Sequence, residues 1–155
     1  MYRPMRMEVI LYQHACAEII IMCRAFYKGK GDLKKVRILS FGFNQSGDID
    51  GKEPGVHAEH NAIDKLITRK NKKKLESINL LVIRVSSKNK IQYSKPCYNC
   101  IEMMKMLPKK KGYKLENIYY SDETGGLIKT NLAKLSLEEK HFSNFWRKRR
   151  VNFIS

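Results

Sequence analysis

A chain of 155 residues, 43% of them hydrophobic, can bury one core, and we expect a single domain over 1–155. It has no run of about 18 apolar residues and too few cysteines for a disulfide scaffold, so we expect an intracellular protein, cytoplasmic or nuclear, without a membrane partner. The formal charge of +16 would attract polyanions, although a lysine-rich composition without functional meaning explains it as well.

The first third of the chain predicts a helix followed by two strands. An apolar pattern with helical spacing covers about residues 5–17. The β-branched and aromatic run EIIIMCRAFYKG (18–29) predicts a buried strand, in which Cys23, like Cys16 before it, is interpreted as a small core residue. After the turn GKGD, a second run at 33–44 predicts a strand that pairs with the first as a hairpin.

The middle of the chain predicts a helix, a strand and a second helix. The first helix begins at Ala58 and ends in the lysine-rich stretch KNKKK, and its apolar stripe consists of Ala62, Ile63, Leu66 and Ile67. The run INLLVIRVS (78–86) shows no alternation, which predicts a strand covered on both faces. The segment CYNCIEMMKML (97–107) predicts a helix that Pro108 stops.

Two more strands are predicted, at ENIYYSD (116–122) and LIKT (127–130). The order of elements predicts an α/β fold, a three-layer α/β/α sandwich with a mixed five-stranded sheet. Only DETGG separates the last two strands, whereas a parallel pair needs a crossover of about a dozen residues. The last strand is therefore expected to run antiparallel to its neighbour.

Two short motifs, about forty residues apart, carry candidate metal ligands. GVHAEHNAID (55–64) contains His57 and Glu59, and PCYNC contains Cys97 and Cys100. The two cysteines are three residues apart at the start of a predicted helix, so they face the same side and can bind one zinc ion. A lone C-x-x-C is also typical of redox pairs and of half a zinc ribbon, but no second C-x-x-C exists and a redox pair needs no upstream H-x-E.

The combination H-x-E and P-C-x-x-C is the signature of zinc-dependent deaminases. Ligation by His57, Cys97 and Cys100 leaves a fourth tetrahedral position for water, whose pKa zinc lowers to about 7. Glu59 need not bind the metal and can act as the general acid and base of the reaction. Its neighbour His60 lies about 100 degrees further around the helix and is expected outside the site. A purely structural zinc site, or four polar surface residues, is the plainer alternative.

Residues 36–130 resemble the cytidine and deoxycytidylate deaminase superfamily. HAEHNAI is similar to the H-A-E-x-N-A-I form of dCMP deaminases, FGFN to a strand-end G-x-N, and NIYYSD to the fourth strand of that family. The resemblance implies a Zn²⁺ cofactor, water as nucleophile, loss of ammonia from the base, and Asn44 and Ala58 as substrate-binding residues. Members of this family often assemble as dimers or tetramers, so a homo-oligomer is one expectation from the resemblance, and a larger assembly belongs to the alternative without turnover.

Three departures from the family pattern leave the substrate open. The segment RVSSKNKIQYSKPC (84–97) is longer than the usual connection and lacks the S-W-S-P-C form of polynucleotide cytidine deaminases. The short DETGG link matches the free-nucleoside cytidine deaminases, whereas the H-A-E form does not.

Basic residues cluster at three places, of which two are candidates for nucleic-acid contacts. We expect Lys109, Lys110 and Lys111 and the basic C-terminal segment at about 141–155, with Arg147, Arg149 and Arg150, to bind phosphates of a single strand. Such binding should weaken at least about tenfold from low to physiological salt. The alternative is that these are solvated loops and that Phe142, Phe145 and Trp146 pack a C-terminal helix on the domain.

The sequence therefore predicts a zinc-dependent hydrolytic deaminase of a cytosine-type base in a nucleotide or single-stranded nucleic acid. The alternative from another class is a nucleic-acid-binding or structural protein that uses a deaminase fold without turnover.

Overall fold

The computed structural model of the protein describes residues 17–27, 33–45, 55–143 and 147; of these, residues numbered below 37 are described by their backbone alone. The helix predicted at about 5–17, Cys16, the side chain of Cys23, and most of the basic C-terminal segment, including Phe145, Trp146, Arg149 and Arg150, lie outside this description. Within it, the chain forms a mixed α/β structure with these elements: β1 Ala17–Tyr27, β2 Leu33–Phe43, α1 Ala58–Asp64, β3 Glu76–Val85, β4 Ile91–Gln92, α2 Tyr98–Lys110, β5 Tyr113–Ser121, β6 Leu127–Thr130 and α3 Leu132–Leu137.

The strands form one mixed sheet in the order β2-β1-β3-β5-β6, with the short β4 paired to the end of β3. The predicted hairpin of β1 and β2 is confirmed, and β1 also pairs antiparallel with β3. β3 and β5 are parallel, and α2 supplies the crossover that a parallel pair requires. β6 runs antiparallel to β5, as the short DETGG link predicts.

The core lies between one face of the sheet and the helices. α1 contacts β1 and β2, α2 contacts α1 and β5, and α3 contacts α2 and β5. In β3, Ile78, Leu80 and Val82 are fully buried in this core, whereas Leu81 and Ile83, which point to the other face of the strand, are only half-buried. The prediction of a strand covered on both faces is confirmed for the face toward the helices, whereas the other face is covered only in part. No helix among the described residues is long and apolar enough to cross a membrane.

α2 does not stop at Pro108, as the sequence predicts, but continues to Lys110 with Pro108 buried inside its last turn. Proline has no amide hydrogen to donate to the carbonyl four residues earlier. Only Lys109 and Lys110 follow Pro108 in the helix, so the missing bond falls in its last turn. The amides of Lys111 and Gly112 donate to the carbonyls of Pro108 and Lys109, and Gly112 then ends the helix with a φ of 91°.

α1 is shorter than predicted, because it ends at Asp64. Leu66 still enters the core, but Ile67 is 81% exposed and does not belong to the apolar stripe. Its carbonyl instead accepts a hydrogen bond from the Tyr113 hydroxyl at 2.8 Å, which ties the end of this helix to the start of β5.

Gly42 allows α1 to lie directly on β2. A Cβ atom at this position would be 2.4 Å from both the Ala58 carbonyl oxygen and the Ala62 amide nitrogen. The neighbouring Ser40 hydroxyl donates to the Ala62 carbonyl at 2.8 Å. The close contact fixes the position of α1, and with it the position of the HAE motif.

The substitution Gly42→Ala is therefore expected to destabilise the protein by about 1–3 kcal/mol, because the added methyl group meets backbone atoms that cannot rotate away. Gln45→Ala, an exposed position just beyond β2, should change the free energy of unfolding by less than about 0.5 kcal/mol. Urea denaturation of both variants measures the difference. Equal stability of Gly42→Ala and wild type would mean that α1 does not lie this close to β2.

The turn between β5 and β6 is organised by Asp122. One carboxylate oxygen accepts hydrogen bonds from the Thr124 hydroxyl, the Thr124 amide and the Gly126 amide, at 2.7 to 2.8 Å. These bonds, that of the Thr124 hydroxyl first, hold the pKa of Asp122 below its usual range. Because the folded-state pKa is depressed, the stabilisation is complete above the ordinary carboxyl pKa of about 4 and is lost as the pH falls below it.

We therefore expect Asp122→Ala to lower the melting temperature at pH 7, and the difference from wild type to shrink as the pH approaches 3. Glu123→Ala, at the adjacent exposed position, serves as the matched control, since Glu123 makes none of these bonds. Thermal melts at four or five pH values test this. A difference that stays constant from pH 7 to pH 3 would contradict the assigned role of the carboxylate.

Candidate metal centre

The starts of α1 and α2 bring the two predicted motifs together. His57 precedes α1, Cys97 precedes α2, and Cys100 lies in the first turn of α2. The His57 Nδ1 atom is 3.4 Å from the Cys97 sulfur and 3.2 Å from the Cys100 sulfur. The ligand atoms of all three residues lie within 4.8 Å of one another. The predicted His/Cys/Cys cluster is confirmed as a group that can hold a metal ion.

The donor set and spacing of this group are compatible with zinc. Zinc takes one imidazole nitrogen and two thiolate sulfurs at about 2.0–2.3 Å, which in a tetrahedral site separates the ligand atoms by about 3.5 Å. Both cysteines are buried, with 6% and 5% exposure, so water competes little with the sulfurs. Among the described residues the group has three members, as in zinc sites that keep one position open.

The two thiols influence each other's pKa in opposite directions. A hydrogen bond from Cys100 is the main cause that lowers the pKa of Cys97 to about 4, and His57 contributes in the same direction against the effect of burial. The same hydrogen bond raises the pKa of Cys100, together with burial and the negative charge of Glu59. A divalent cation would favour the thiolate form of both residues.

Glu59 lies beside the metal group without belonging to it. Its side chain is 1% exposed, in the first turn of α1 and two residues after His57. Its charge and hydrogen bonding contribute to the raised pKa of Cys100, so the carboxylate faces that sulfur. His60, by contrast, is exposed and lies 3.4 Å from Asp64, which agrees with its predicted place outside the site.

Asn44, at the end of β2, holds the start of α1. Its side-chain oxygen accepts a hydrogen bond from the Ala58 amide at 2.9 Å, while the Ala58 side chain is completely buried. The bond satisfies one of the amides that a helix start leaves without an intrahelical partner. Asn44 also lines the cleft in front of the metal group. The substrate-binding roles of Asn44 and Ala58 stay predictions.

A buried serine pair, which the sequence analysis missed, fixes the chain just before Cys97. The Ser94 hydroxyl contacts the Val82 carbonyl at 2.8 Å and the Ser121 hydroxyl at 2.7 Å, and the Ser121 hydroxyl donates to the Gln92 carbonyl at 2.6 Å. Both serines are nearly inaccessible, at 2% and 1% exposure. Ser121 belongs to NIYYSD, which was interpreted only as a strand, and Ser94 belongs to no motif, so nothing in the local sequence distinguishes either from a surface serine.

The segment after α3 packs over the start of α2. The Tyr98 amide donates to the His141 carbonyl at 2.6 Å, and the rings of Tyr98 and Phe142 are 5.4 Å apart. Phe142 therefore packs on the domain, as one sequence interpretation expects. The Lys95 ammonium forms an ion pair with Glu138, which raises the pKa of Lys95.

An open cleft of about 1090 Å³ lies in front of the metal group. His57, Glu59 and Cys97 form part of its lining, together with Arg147 from the C-terminal segment and several residues between Arg84 and Lys95. The residues between Arg84 and Lys95 were not predicted to line a site, because the basic runs further along the chain gave the stronger charge signal.

Lys109, Lys110 and Lys111 lie at the other end of α2 from the metal group. Lys109 follows Cys100 by nine residues, about 13 Å of helix axis. The Lys111 ammonium donates to the carbonyls of Asp64 and Leu66 at 2.7 and 3.2 Å, so it closes the end of α1. Of the predicted phosphate contacts that the structure describes, Arg147 alone lines the cleft. Nucleic-acid binding by these residues stays a prediction.

Comparisons of the chain with protein-family models, with curated protein sequences and with solved structures found no match. The resemblance to deaminases therefore rests on the two motifs and on the geometry of the metal group.

Proposed function

We propose that the protein is a zinc-dependent hydrolytic deaminase of a cytosine-type base, carried by a nucleotide or a single-stranded nucleic acid. The fold proposed with it is the three-layer α/β/α sandwich of the deaminase superfamily, with β2, β1, β3, β5 and β6 as the five strands of its mixed sheet and the two-residue β4 as an addition at the end of β3. One observation carries most weight: a buried carboxylate, Glu59, lies beside a group of three metal ligands at the edge of a large cleft.

The ligand set favours catalysis over a purely structural metal. Structural zinc sites are closed by four protein ligands, whereas catalytic sites use three and leave one position to water or substrate. Among the described residues, His57, Cys97 and Cys100 form a group of three, and His57 and Cys97 line the cleft. A substrate in the cleft would therefore reach the open side of the centre.

Zinc bound by these ligands would lower the pKa of a water molecule to about 7 and so supply a nucleophile at neutral pH. Glu59 is placed to pass one proton of that water to the ring nitrogen of the base, and then to pass the second proton, the one still on the attacking oxygen, to the exocyclic amine. The amine leaves as ammonia, and a carbonyl takes its place. The contact of Asn44 with Ala58 keeps His57 and Glu59 in a fixed orientation during these transfers.

We propose Asn44 as a contact of the sugar or base, because it lines the cleft on the side of α1. Ala58 has no exposed side chain, so its share in substrate binding would come from the backbone.

The second candidate is a binding or assembly module that keeps the deaminase fold without turnover. The basic lining of the cleft is the observation that favours it, since positive charge binds nucleic acid whether or not a base is altered.

Two measurements on protein purified without chelator separate the candidates. Metal analysis should give about one zinc per chain, and incubation with cytidine, dCMP, or single-stranded DNA or RNA should release ammonia from at least one of them. Zinc without ammonia from any of these would favour the binding module. A folded chain that never takes up zinc would overturn both the cofactor and the reaction.

A further inference from the structure

The connection between β3 and Cys97 contains a small hairpin, which we call the β3–β4 hairpin (Arg84–Gln92). Arg84 pairs with Gln92 and Val85 with Ile91 in an antiparallel ladder. The turn is closed by hydrogen bonds from the Ser86 amide to the Lys90 carbonyl at 2.8 Å and from the Asn89 amide to the Ser86 carbonyl at 2.9 Å. Asn89 adopts a φ of 57°, which asparagine tolerates better than most residues. The segment is thus a formed element.

The β3–β4 hairpin presents unpaired positive charge to the cleft. Arg84, Lys88 and Lys90 are exposed and line it, and among the described residues none of these three side chains forms an ion pair. Lys95, which also lines the cleft, is neutralised by Glu138. Among the described residues of the lining, Glu123 is the one exposed carboxylate. Three available cations against one exposed anion make this side of the cleft attractive to phosphates.

The cleft is also larger than one nucleobase requires. Small-ligand pockets have volumes of about 300–1,000 Å³ and enclose most of the ligand, whereas this cleft has about 1090 Å³ and an exposed rim. Two residues of extended chain, about 7 Å, separate Arg84 from the turn that carries Lys88, so the charges are spread along the rim. Tyr93, 39% exposed, adds an aromatic ring to the lining of the same cleft and packs edge to face on Tyr120.

We propose that the β3–β4 hairpin binds successive phosphates of a single-stranded nucleic acid whose target base enters the metal centre. The inference rests on the proposed function and narrows its substrate from nucleotides in general to a polymer. A single strand is required, because a base inside a duplex cannot reach a recessed metal site without leaving the stack. Arg84, Lys88 and Lys90 hold the backbone, and Tyr93 is placed to stack on a base next to the target.

The test compares two triple variants of the full, zinc-loaded chain. Arg84→Gln, Lys88→Gln and Lys90→Gln together remove the charges of the hairpin. Lys72→Gln, Lys73→Gln and Lys74→Gln remove the same charge from an exposed loop before β3, at the end of that strand opposite the hairpin. Fluorescence anisotropy of a labelled 12-nucleotide strand is measured between about 50 and 200 mM salt. Cytidine, which has no phosphate, is assayed in parallel for ammonia release.

We expect the hairpin variant to bind the oligonucleotide at least about tenfold more weakly at low salt. Its slope of log affinity against log salt should fall by about 2, because each lost phosphate contact on a single strand contributes about 0.7. The loop variant should stay within about threefold of wild type, and cytidine turnover should be the same in all three proteins. Both results would support the inference.

Equal oligonucleotide affinity in the two triple variants would overturn it, since the net charge alone would then explain the binding. Loss of cytidine turnover in the hairpin variant would also overturn it, because the hairpin would then act on the centre and not on phosphates. If wild type deaminates none of the substrates, the proposed reaction fails, while the anisotropy comparison still decides whether the hairpin binds the strand.

Discussion

Replacing Glu59 by glutamine is expected to lower turnover by about 10²–10⁴-fold and to leave the zinc content unchanged. The amide keeps the shape of the side chain but cannot accept the proton of the attacking water. Because Glu59 lies outside the group of metal ligands, the three donors to zinc remain in place. Metal analysis and steady-state kinetics on the same preparation measure both quantities, with the substrate that wild type turns over.

The matched control for this substitution is Glu123→Gln. Glu123 is a carboxylate that lines the same cleft but is exposed, and it lies in the turn between β5 and β6. Its kcat should stay within a few-fold of wild type. Retention of full activity by Glu59→Gln would remove Glu59 from the proton transfer, and loss of zinc would show that it acts as a ligand.

Replacing His57 by alanine is expected to reduce bound zinc from about one per chain to nearly none. Two thiolates alone hold the metal too weakly to survive purification. The melting temperature should fall by about 10 °C, since a ligand present at about 1,000 times its dissociation constant stabilises a protein by about 4 kcal/mol. Treatment of wild type with a strong chelator should produce the same fall, and the variant should not respond to chelator.

His60→Ala is the control, because this histidine lies on the same helix, is exposed, and contacts Asp64 instead of the metal group. It should keep its zinc and its chelator response. If both histidine variants bind zinc like wild type, the cluster of His57, Cys97 and Cys100 does not hold the metal.

The metal group was predictable because each half of it is local. His57 and Glu59 are two residues apart, and Cys97 and Cys100 share one helical turn, so their relative positions follow from helix geometry alone. That the halves meet at the starts of two packed helices follows from the motif and is confirmed by the distances. The strands were predictable for a similar reason, since a long run of apolar, β-branched residues such as β3 is most stable as a buried strand.

The rim of the site was not predictable in the same way. The two-residue strand β4 lies in a polar stretch that shows no period, and the six-residue α3 buries only Leu135. The basic run at Lys109–Lys111 looked like a candidate for the rim, but the direction of α2 carries it away from the metal group. Which charged residues face a cleft depends on how whole elements pack, and a run of like charges does not contain that information.

The parallel pairing of β3 and β5 has a consequence for the order in which the centre is assembled. The ligands come from positions 57, 97 and 100, and the sheet that aligns them needs residues up to Ser121. During synthesis, the chain must therefore extend well past both motifs before the three donors can meet. We therefore expect metal capture to come late, after β5 has been synthesised. A ribosome-bound chain that ends near position 105 would carry every ligand and still bind zinc poorly.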